Sequence, residues 1–266
     1  MAAKHSAETV DSLLGESVDT TPSPLLKDDL HIEGTYVTLQ EVKESDMPSL
    51  WKNLGLPTNE ELFSYLPMSP PADPETLWST LQDLRTKEYI IYAIKADPMV
   101  LSPSPSQPDL LPTQRSETLG LVAYLNIEPL HRAIEIGVVV YGPALQRTAA
   151  ATEAQYLMLC HAFGASDTAM LPPYRRVVWK CNSLNKASRR AAERLGFVYE
   201  GRFRKHLLVK GRSRDSDWLS IVDDEWHVVR DGFEAWLCES NFDKDVEQIR
   251  TLVELRDAVR EQSANQ

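Results

Sequence analysis

Apolar residues along the chain change their period several times, and each change marks an element. Glu88–Lys95 (EYIIYAIK) and Leu119–Ile127 (LGLVAYLNI) are rich in β-branched and aromatic residues, and the second alternates apolar with mixed positions as a half-covered strand does. These two strands are expected to pair as an antiparallel hairpin. Thr35–Gln40 predicts an earlier strand, followed by short amphipathic helices beginning near Ser45 and at Asp73-Pro74, where an N-cap residue precedes a proline of preset φ. Ile134–Val140 (IEIGVVV) predicts a strand ended by Tyr141-Gly142-Pro143, and Thr152–Phe163 a helix with Tyr156, Leu159, Cys160 and Phe163 on one face. Arg176–Cys181 is the next strand. Asn185 has the chemistry of an N-cap for a helix through Leu195, closed by Gly196 at the C′ position. Phe197–Phe203 and Asp217–Val222 read as the last strands, joined through Lys210-Gly211. Beyond them Trp226, Val229, Phe233, Trp236 and Leu237 fall at helical spacing, and Val246, Ile249 and Val253 extend a similar stripe past Asn241. Such helices would pack on the sheet edge or on a partner copy in a homodimer. The sum is an α/β fold, a mixed sheet with an antiparallel first half.

Two stretches break the pattern. Residues 1–30 are polar and proline-spaced, and they bury too little apolar area to offset their ordering entropy. They are expected to form a disordered tail. Asp97–Glu117 is long for a hairpin loop and rich in proline and serine, which predicts a disordered insertion. One domain over residues 31–237 and a helical extension over 238–266 follow.

Composition narrows the function. At 266 residues, 42% hydrophobic and 25% charged, the chain can bury one substantial core. No apolar run reaches the roughly 18 to 20 residues of a membrane span, and the N-terminus lacks the order of a signal peptide, so a cytoplasmic protein without membrane contact is expected. Cys160, Cys181 and Cys238 show no CxxC or histidine spacing, which predicts reduced thiols rather than disulfides or zinc. His131 precedes the central strand, His161 lies mid-helix and His206 lies in a strand region, and none joins a metal constellation. The net charge of -11 argues against nucleic acid as a partner. Yet Lys186 to Arg214 holds ten cations against two acids, a cationic strip inside an acidic protein.

The densest chemistry lies in EIGVVVYGPALQRTAAATEA. A strand runs into Gln146, Arg147, Thr148, Ala149, Ala150 and Ala151, and these enter a helix with a run of small side chains. Small residues let a diphosphate approach main-chain N–H groups at a helix N-terminus, and Arg147 adds charge. The same residues also read as a closely packed helix start.

Glu135-Ile136-Gly137, the Gln146–Ala151 turn with Thr152-Glu153-Ala154, Trp179-Lys180-Cys181-Asn182, Asn185, Ser188 and Leu195-Gly196-Phe197 occur in this order and at these separations. In this the chain resembles the GCN5-related N-acetyltransferases (GNAT), in particular the RimJ/RimL-like branch, across roughly Ile32 to Leu237. The resemblance implies a mostly antiparallel mixed sheet flanked by helices and splayed in its middle, where the pantetheine arm of acetyl-CoA adds like a strand. It implies acetyl transfer to a primary amine, either a peptide N-terminus or a small molecule, by direct attack in a ternary complex. The main chain of Val138, Val139 and Val140 would polarise the carbonyl, Gln146–Ala151 would hold the diphosphate, and Asn182 and Asn185 the pantetheine amides. Arg189 and Arg190 would meet the cofactor phosphates. Glu135 would serve as general base, or else as a structural carboxylate. Ser188 would protonate the leaving thiolate, or else bond back to its own helix. Asn185 has N-capping as its other role. One departure stands out: Ala149 occupies a position where the family commonly has glycine, and it would be strained if that position required a positive φ. A coenzyme A-binding protein without turnover, or an interaction module acting through the cationic strip, are the rival readings.

Overall fold

The computed structural model describes residues 15–25, 30–55, 57–99, 101, 117–165, 172–243 and 247–264. Eight strands form one sheet: β1 (His31–Glu33), β2 (Val37–Glu41), β3 (Ile90–Ala96), β4 (Glu117–Glu128), β5 (Ala133–Tyr141), β6 (Arg176–Asn182), β7 (Val198–Val209) and β8 (Arg212–Val222). Their order is β1-β2-β3-β4-β5-β6-β8-β7. Neighbours are antiparallel except β5 and β6, which run parallel.

Two layers of helices cover the sheet. On one face lie α1 (Met47–Leu54) and α2 (Pro74–Arg85), whose Met47, Leu50, Leu54, Leu77, Leu81 and Leu84 form a core with Ile91, Ala93, Leu121, Ala123, Val138 and Val140. Asp73 caps α2 as its sequence predicts, accepting the Thr76 N–H at 2.7 Å, with Pro74 in the first turn. On the other face lie α3 (Ala149–Ala162), α4 (Lys186–Leu195) and α5 (Asp223–Leu237), which contribute to the larger core, and α6 (Leu252–Ala264), which packs on α5. Gly196 closes α4 at φ +110°, where a Cβ would meet the Val229 methyls at 3.1 Å.

Several boundaries differ from expectation. α3 begins at Ala149 rather than Thr152, and it is buried almost all round, because α5 covers the side turned away from the sheet. No single apolar face is therefore visible in it. β1 was not anticipated, being three residues long, and the β7–β8 hairpin is longer than its apolar residues suggest, running to Val209 and from Arg212. The stripe past Asn241 is not one helix. Val246 lies outside the described residues, Ile249 is exposed, and Asn241 instead ties the break, bonding the Trp236 carbonyl and both main-chain groups of Arg250. α6 starts only at Leu252, which is buried with Arg256. Residues 102–116 of the expected insertion and 1–14 and 26–29 of the expected tail lie outside the description. Residues 15–25 have no helix or strand, but they are pinned: Ser23 N–H donates to the Pro129 carbonyl at 3.1 Å and Arg132 Nη2 to that of Asp19 at 3.0 Å.

α3 is anchored by its second turn. Glu153 is buried and accepts the N–H groups of Thr35, Tyr36 and Val37 at 2.6, 2.7 and 2.9 Å, which clamps the β1–β2 turn onto the helix. Gly34 leaves room for this: a Cβ there would lie 2.6 Å from the carboxyl carbon.

Candidate active site

The parallel pairing of β5 and β6 is short, running from Ala133 opposite Arg176 to Ile136 opposite Trp179. Both strands continue, β5 to Tyr141 and β6 to Asn182, and β6 keeps β8 as a partner to its end. From Gly137 to Tyr141, β5 thus has β4 on one side and no strand on the other among the described residues. An edge opened inside a sheet presents unpaired main-chain groups to an extended ligand.

A bulge aims this edge. The β4–β5 register slips between Leu121 and Ala123, and Val138 sits at φ +50°, a strained conformation for a β-branched residue. Val138 and Val140 are anchored in the core beneath α1 and α2, while Val139 is half-buried against the larger core. At Gly137 a Cβ would come within 2.8 Å of Leu125 Cδ2 and 3.8 Å of Glu135 Oε1. The glycine is required by Leu125, which a Cβ would overlap, while Glu135 Oε1 lies at ordinary contact distance from that position.

Glu135 lies at the mouth of the opening and is 6% exposed. Its Oε2 accepts from Asn126 Nδ2 at 2.6 Å and pairs with Lys180 Nζ at 2.7 Å; its Oε1 takes no hydrogen bond from the described residues. Lys180 Nζ also stands 3.9 Å from the centroid of the Trp218 ring, its cross-strand partner. Burying such a pair is costly unless its geometry and hydrogen bonds are good, and here the indole face and Asn126 complete it. Burial, and then Glu135, push the Tyr89 hydroxyl above its usual range. Asn126, Lys180 and Trp218 were not assigned to the site from sequence. The alternation of β6 carried a signal, since Glu135 pairs with Val178 and Lys180 lies two residues on, on the same face.

Ser188 stands against the other face of β6. Its Oγ accepts the Trp179 indole N–H at 3.0 Å and contacts the Cys181 thiol, which burial raises and Ser188 lowers. Asn185 Oδ1 accepts the Ser188 N–H at 3.0 Å and so caps α4, while Asn182 Oδ1 accepts the Leu184 N–H at 3.0 Å. The Nδ2 groups of both asparagines make no hydrogen bond among the described residues. Arg189 is engaged elsewhere, with Nε on Glu193 at 2.9 Å, Nη1 on Asp217 at 3.2 Å and its guanidinium 3.9 Å over the Tyr199 ring. Arg190 is exposed and makes no ion pair among the described residues, so it alone of the two is free to meet a phosphate.

In the turn before α3, the left-handed residue is Arg147 at φ +63°. Ala149 is the first residue of the helix and is free of the strain that a positive φ would impose. Gln146 Nε2 donates to the Tyr141 carbonyl at 2.9 Å, and Thr148 is the N-cap, with Oγ1 accepting the Ala151 N–H at 3.1 Å. The Ala150 N–H donates to the Leu101 carbonyl at 2.9 Å. The Gln146 N–H donates to the Gly142 carbonyl at 3.3 Å, so three amides expected to face phosphate, those of Gln146, Ala150 and Ala151, are engaged within the chain, and a diphosphate using Ala150 would displace Leu101. The side chains of Ala149, Ala150 and Ala151 are buried, so their small size serves close packing at the helix start.

The cationic strip is not one surface. Arg202 joins Arg189 on the buried Asp217, with Nε 2.6 Å from Oδ1; Arg194 stacks over Trp236 and donates to Thr152; Lys210 donates to the Phe63 carbonyl. Among the described residues no group of histidine, cysteine and acidic side chains is arranged to hold a metal, and no helix is long and apolar enough to cross a membrane.

The profile of the acetyltransferase (GNAT) domain family matches residues 37–198. Among solved structures, a GCN5-related N-acetyltransferase from Brucella melitensis is 33% identical, covering 89% of this chain and 98% of its own, with a TM-score of 0.77. A probable GNAT-family acetyltransferase from Chromobacterium violaceum is 29% identical over 80% of this chain and 98% of its own, with a TM-score of 0.63. Mycobacterium smegmatis RimJ in complex with CoA-disulfide shares the fold at 21% identity, over 71% of this chain and 83% of its own, with a TM-score of 0.54. No curated protein matches significantly.

Proposed function

This chain belongs to the GNAT acetyltransferase family, and from that premise we propose that it transfers acetyl from acetyl-CoA to a primary amine, as a member of the RimJ/RimL-like branch. The observation that carries this reading is the opened β5–β6 pairing with a buried carboxylate at its mouth. The residues present fit the cofactor. The free edge of Val138, Val139 and Val140 suits the pantetheine arm and the thioester carbonyl, Asn182 and Asn185 keep amide donors for the arm, and Arg147 and Arg190 offer charge for the phosphates. The diphosphate fits the start of α3 once the Leu101 carbonyl leaves Ala150.

The thioester supplies an activated acetyl group, and its C–S bond breaks as the C–N bond to the amine forms. Glu135 Oε1, turned toward the space beside Gly137, takes the proton of the acceptor ammonium directly or through one water. Lys180 and Asn126 hold the carboxylate by its other oxygen, so the basic oxygen stays aimed. Ser188, whose Oγ receives the Trp179 indole N–H, passes its hydroxyl proton to the departing thiolate and takes back the second proton that the newly acetylated nitrogen sheds, so the hydroxyl is restored.

Binding without turnover has one observation in its favour: the polar groups around Glu135 and Ser188 already satisfy one another in part. Both readings are tested by incubating the protein with acetyl-CoA and a panel of amines while following free thiol. Amine-dependent thiol release supports transfer. Cofactor binding with no release for any amine refutes it and leaves the binding protein.

A further inference from the structure

The site holds more positive charge than its one carboxylate balances. Lys180 and Glu135 form one pair across the opening, 2.7 Å apart. Trp218, beneath the Lys180 ammonium, also carries His206 edge-on at 5.9 Å between ring centres, and Phe203 stacks on the same indole at 4.5 Å. His206 Nδ1 meets Ser216 Oγ at 3.0 Å, and Arg214 Nε donates to that same oxygen at 3.1 Å. A continuous chain of contacts thus runs from Glu135 through Lys180, Trp218, His206 and Ser216 to Arg214. Of its two permanent cations, Lys180 forms an ion pair and Arg214 forms none among the described residues, although the Glu135 carboxylate acts on Arg214 electrostatically.

Arg214 is half-buried, on the strand beside the open end of β6. Its hydrogen bonds among the described residues go to one hydroxyl, which leaves its terminal nitrogens available. A desolvated guanidinium with idle donors is an expensive group to maintain, and a bidentate anion satisfies it best. The imidazole of His206 reports the same imbalance. It is held below its usual range first by burial, then by Lys180 and Arg214, with Glu135 opposing them. The bulge that brings His206 inward, where the β7–β8 register slips between Phe203 and Leu207, adds Arg204 and Lys205 at the rim of an open depression.

Resting on the transfer reading above, we propose that the acceptor amine carries its own anionic group, a carboxylate or a phosphate, which Arg214 binds while Glu135 Oε1 receives the ammonium. Arg214 is then a specificity-determining residue. A polyamine or other purely cationic acceptor meets Lys180 and Arg214 as like charges and is disfavoured.

Matched acceptors test this with acetyl-CoA and the intact protein: an amino acid against its amide, phosphoethanolamine against ethanolamine, and spermidine. The carboxylate and phosphate arms separate the two anion sources. The expected result is a kcat/KM about tenfold to a hundredfold higher for the anionic member of at least one pair, the range that a charge-assisted hydrogen bond commands. In R214Q that ratio should fall to near one, chiefly through KM for the anionic acceptor, with partial recovery in R214K. Equal or better use of the uncharged amines or spermidine by the wild-type protein overturns the acceptor inference and leaves the transfer reading standing. So does an unchanged ratio in R214Q. No thiol release with any amine overturns the transfer reading itself, and the acceptor inference with it.

Discussion

Replacing Glu153 by glutamine should destabilise the fold markedly, for reasons that can be worked through contact by contact. The carboxylate accepts one N–H on Oε1 and two on Oε2, all within 2.9 Å, in a buried setting between α3 and the β1–β2 turn. A glutamine with its oxygen at the Oε2 position keeps the Tyr36 and Val37 bonds, but turns an NH2 group toward the Thr35 N–H, donor against donor. A charge-assisted bond is lost, at about 1.5 to 3 kcal/mol, and the two remaining bonds become neutral. The sum is about 2 to 4 kcal/mol. Glu153→Ala removes all three bonds, and should cost about 3 to 6 kcal/mol at about 1 to 3 per buried bond lost, with partial relief from water. Equilibrium urea unfolding at neutral pH measures both, and amide exchange at Tyr36 and Val37 should accelerate with them. A loss under about 1 kcal/mol for the alanine variant would refute the clamp.

Three further outcomes follow from the site and its surroundings. Glu135→Gln should lower kcat by about a hundredfold, most strongly at low pH where the amine is hardest to deprotonate, with little change in acetyl-CoA affinity; a rate unchanged across pH rejects the base. Asp217, 1% exposed, is held below its ordinary 3.8 first by Arg202, with Arg189 adding to it against the opposing effect of burial. Its stabilisation is therefore present above pH 3.8 and lost as pH falls through the lower folded value, so Asp217→Asn should be less stable by about 1 to 3 kcal/mol at pH 7, with the gap closing below pH 3.8 in denaturant titrations. A gap that stays constant down to acid would show the charge to be idle. The His206 imidazole should titrate below 6.5 by NMR and move back up in R214Q; a normal value in the wild-type protein would contradict the cationic surroundings drawn for it.

How much of this was legible in the sequence depended on whether the signal was local. Asp73-Pro74, Asn185 and Gly196 announce their helix ends because capping is decided within a few residues, and the structure places all three as caps. The strands of the central sheet were legible from their apolar density. The early start of α3 was not, since Ala149–Ala151 carry no periodicity when both sides of a helix are covered. Glu135 stood out as a carboxylate amid apolar residues, but its partners could not. Asn126 lies across a turn, and Lys180 becomes its neighbour only through the parallel register, which nothing local specifies. Ser216, His206 and Arg214 meet because a bulge rotates β7, and a bulge leaves little trace in composition. The same holds for the left-handed backbone at Val138 and Arg147, residues whose side chains give no warning of it.

The four-rung seam between β5 and β6 also bears on the lifetime of the molecule. Two half-sheets joined so briefly leave an opening along the plane where the proposed pantetheine arm would lie. A ligand lying along that plane serves as a missing rung, and it adds to folding stability by mass action, about 2.7 kcal/mol at a hundred times its dissociation constant. Abundance would then follow acetyl-CoA supply: a starved cell would hold a protein more open to proteases along the seam, and turnover of the polypeptide itself would become a gauge of the nucleotide pool.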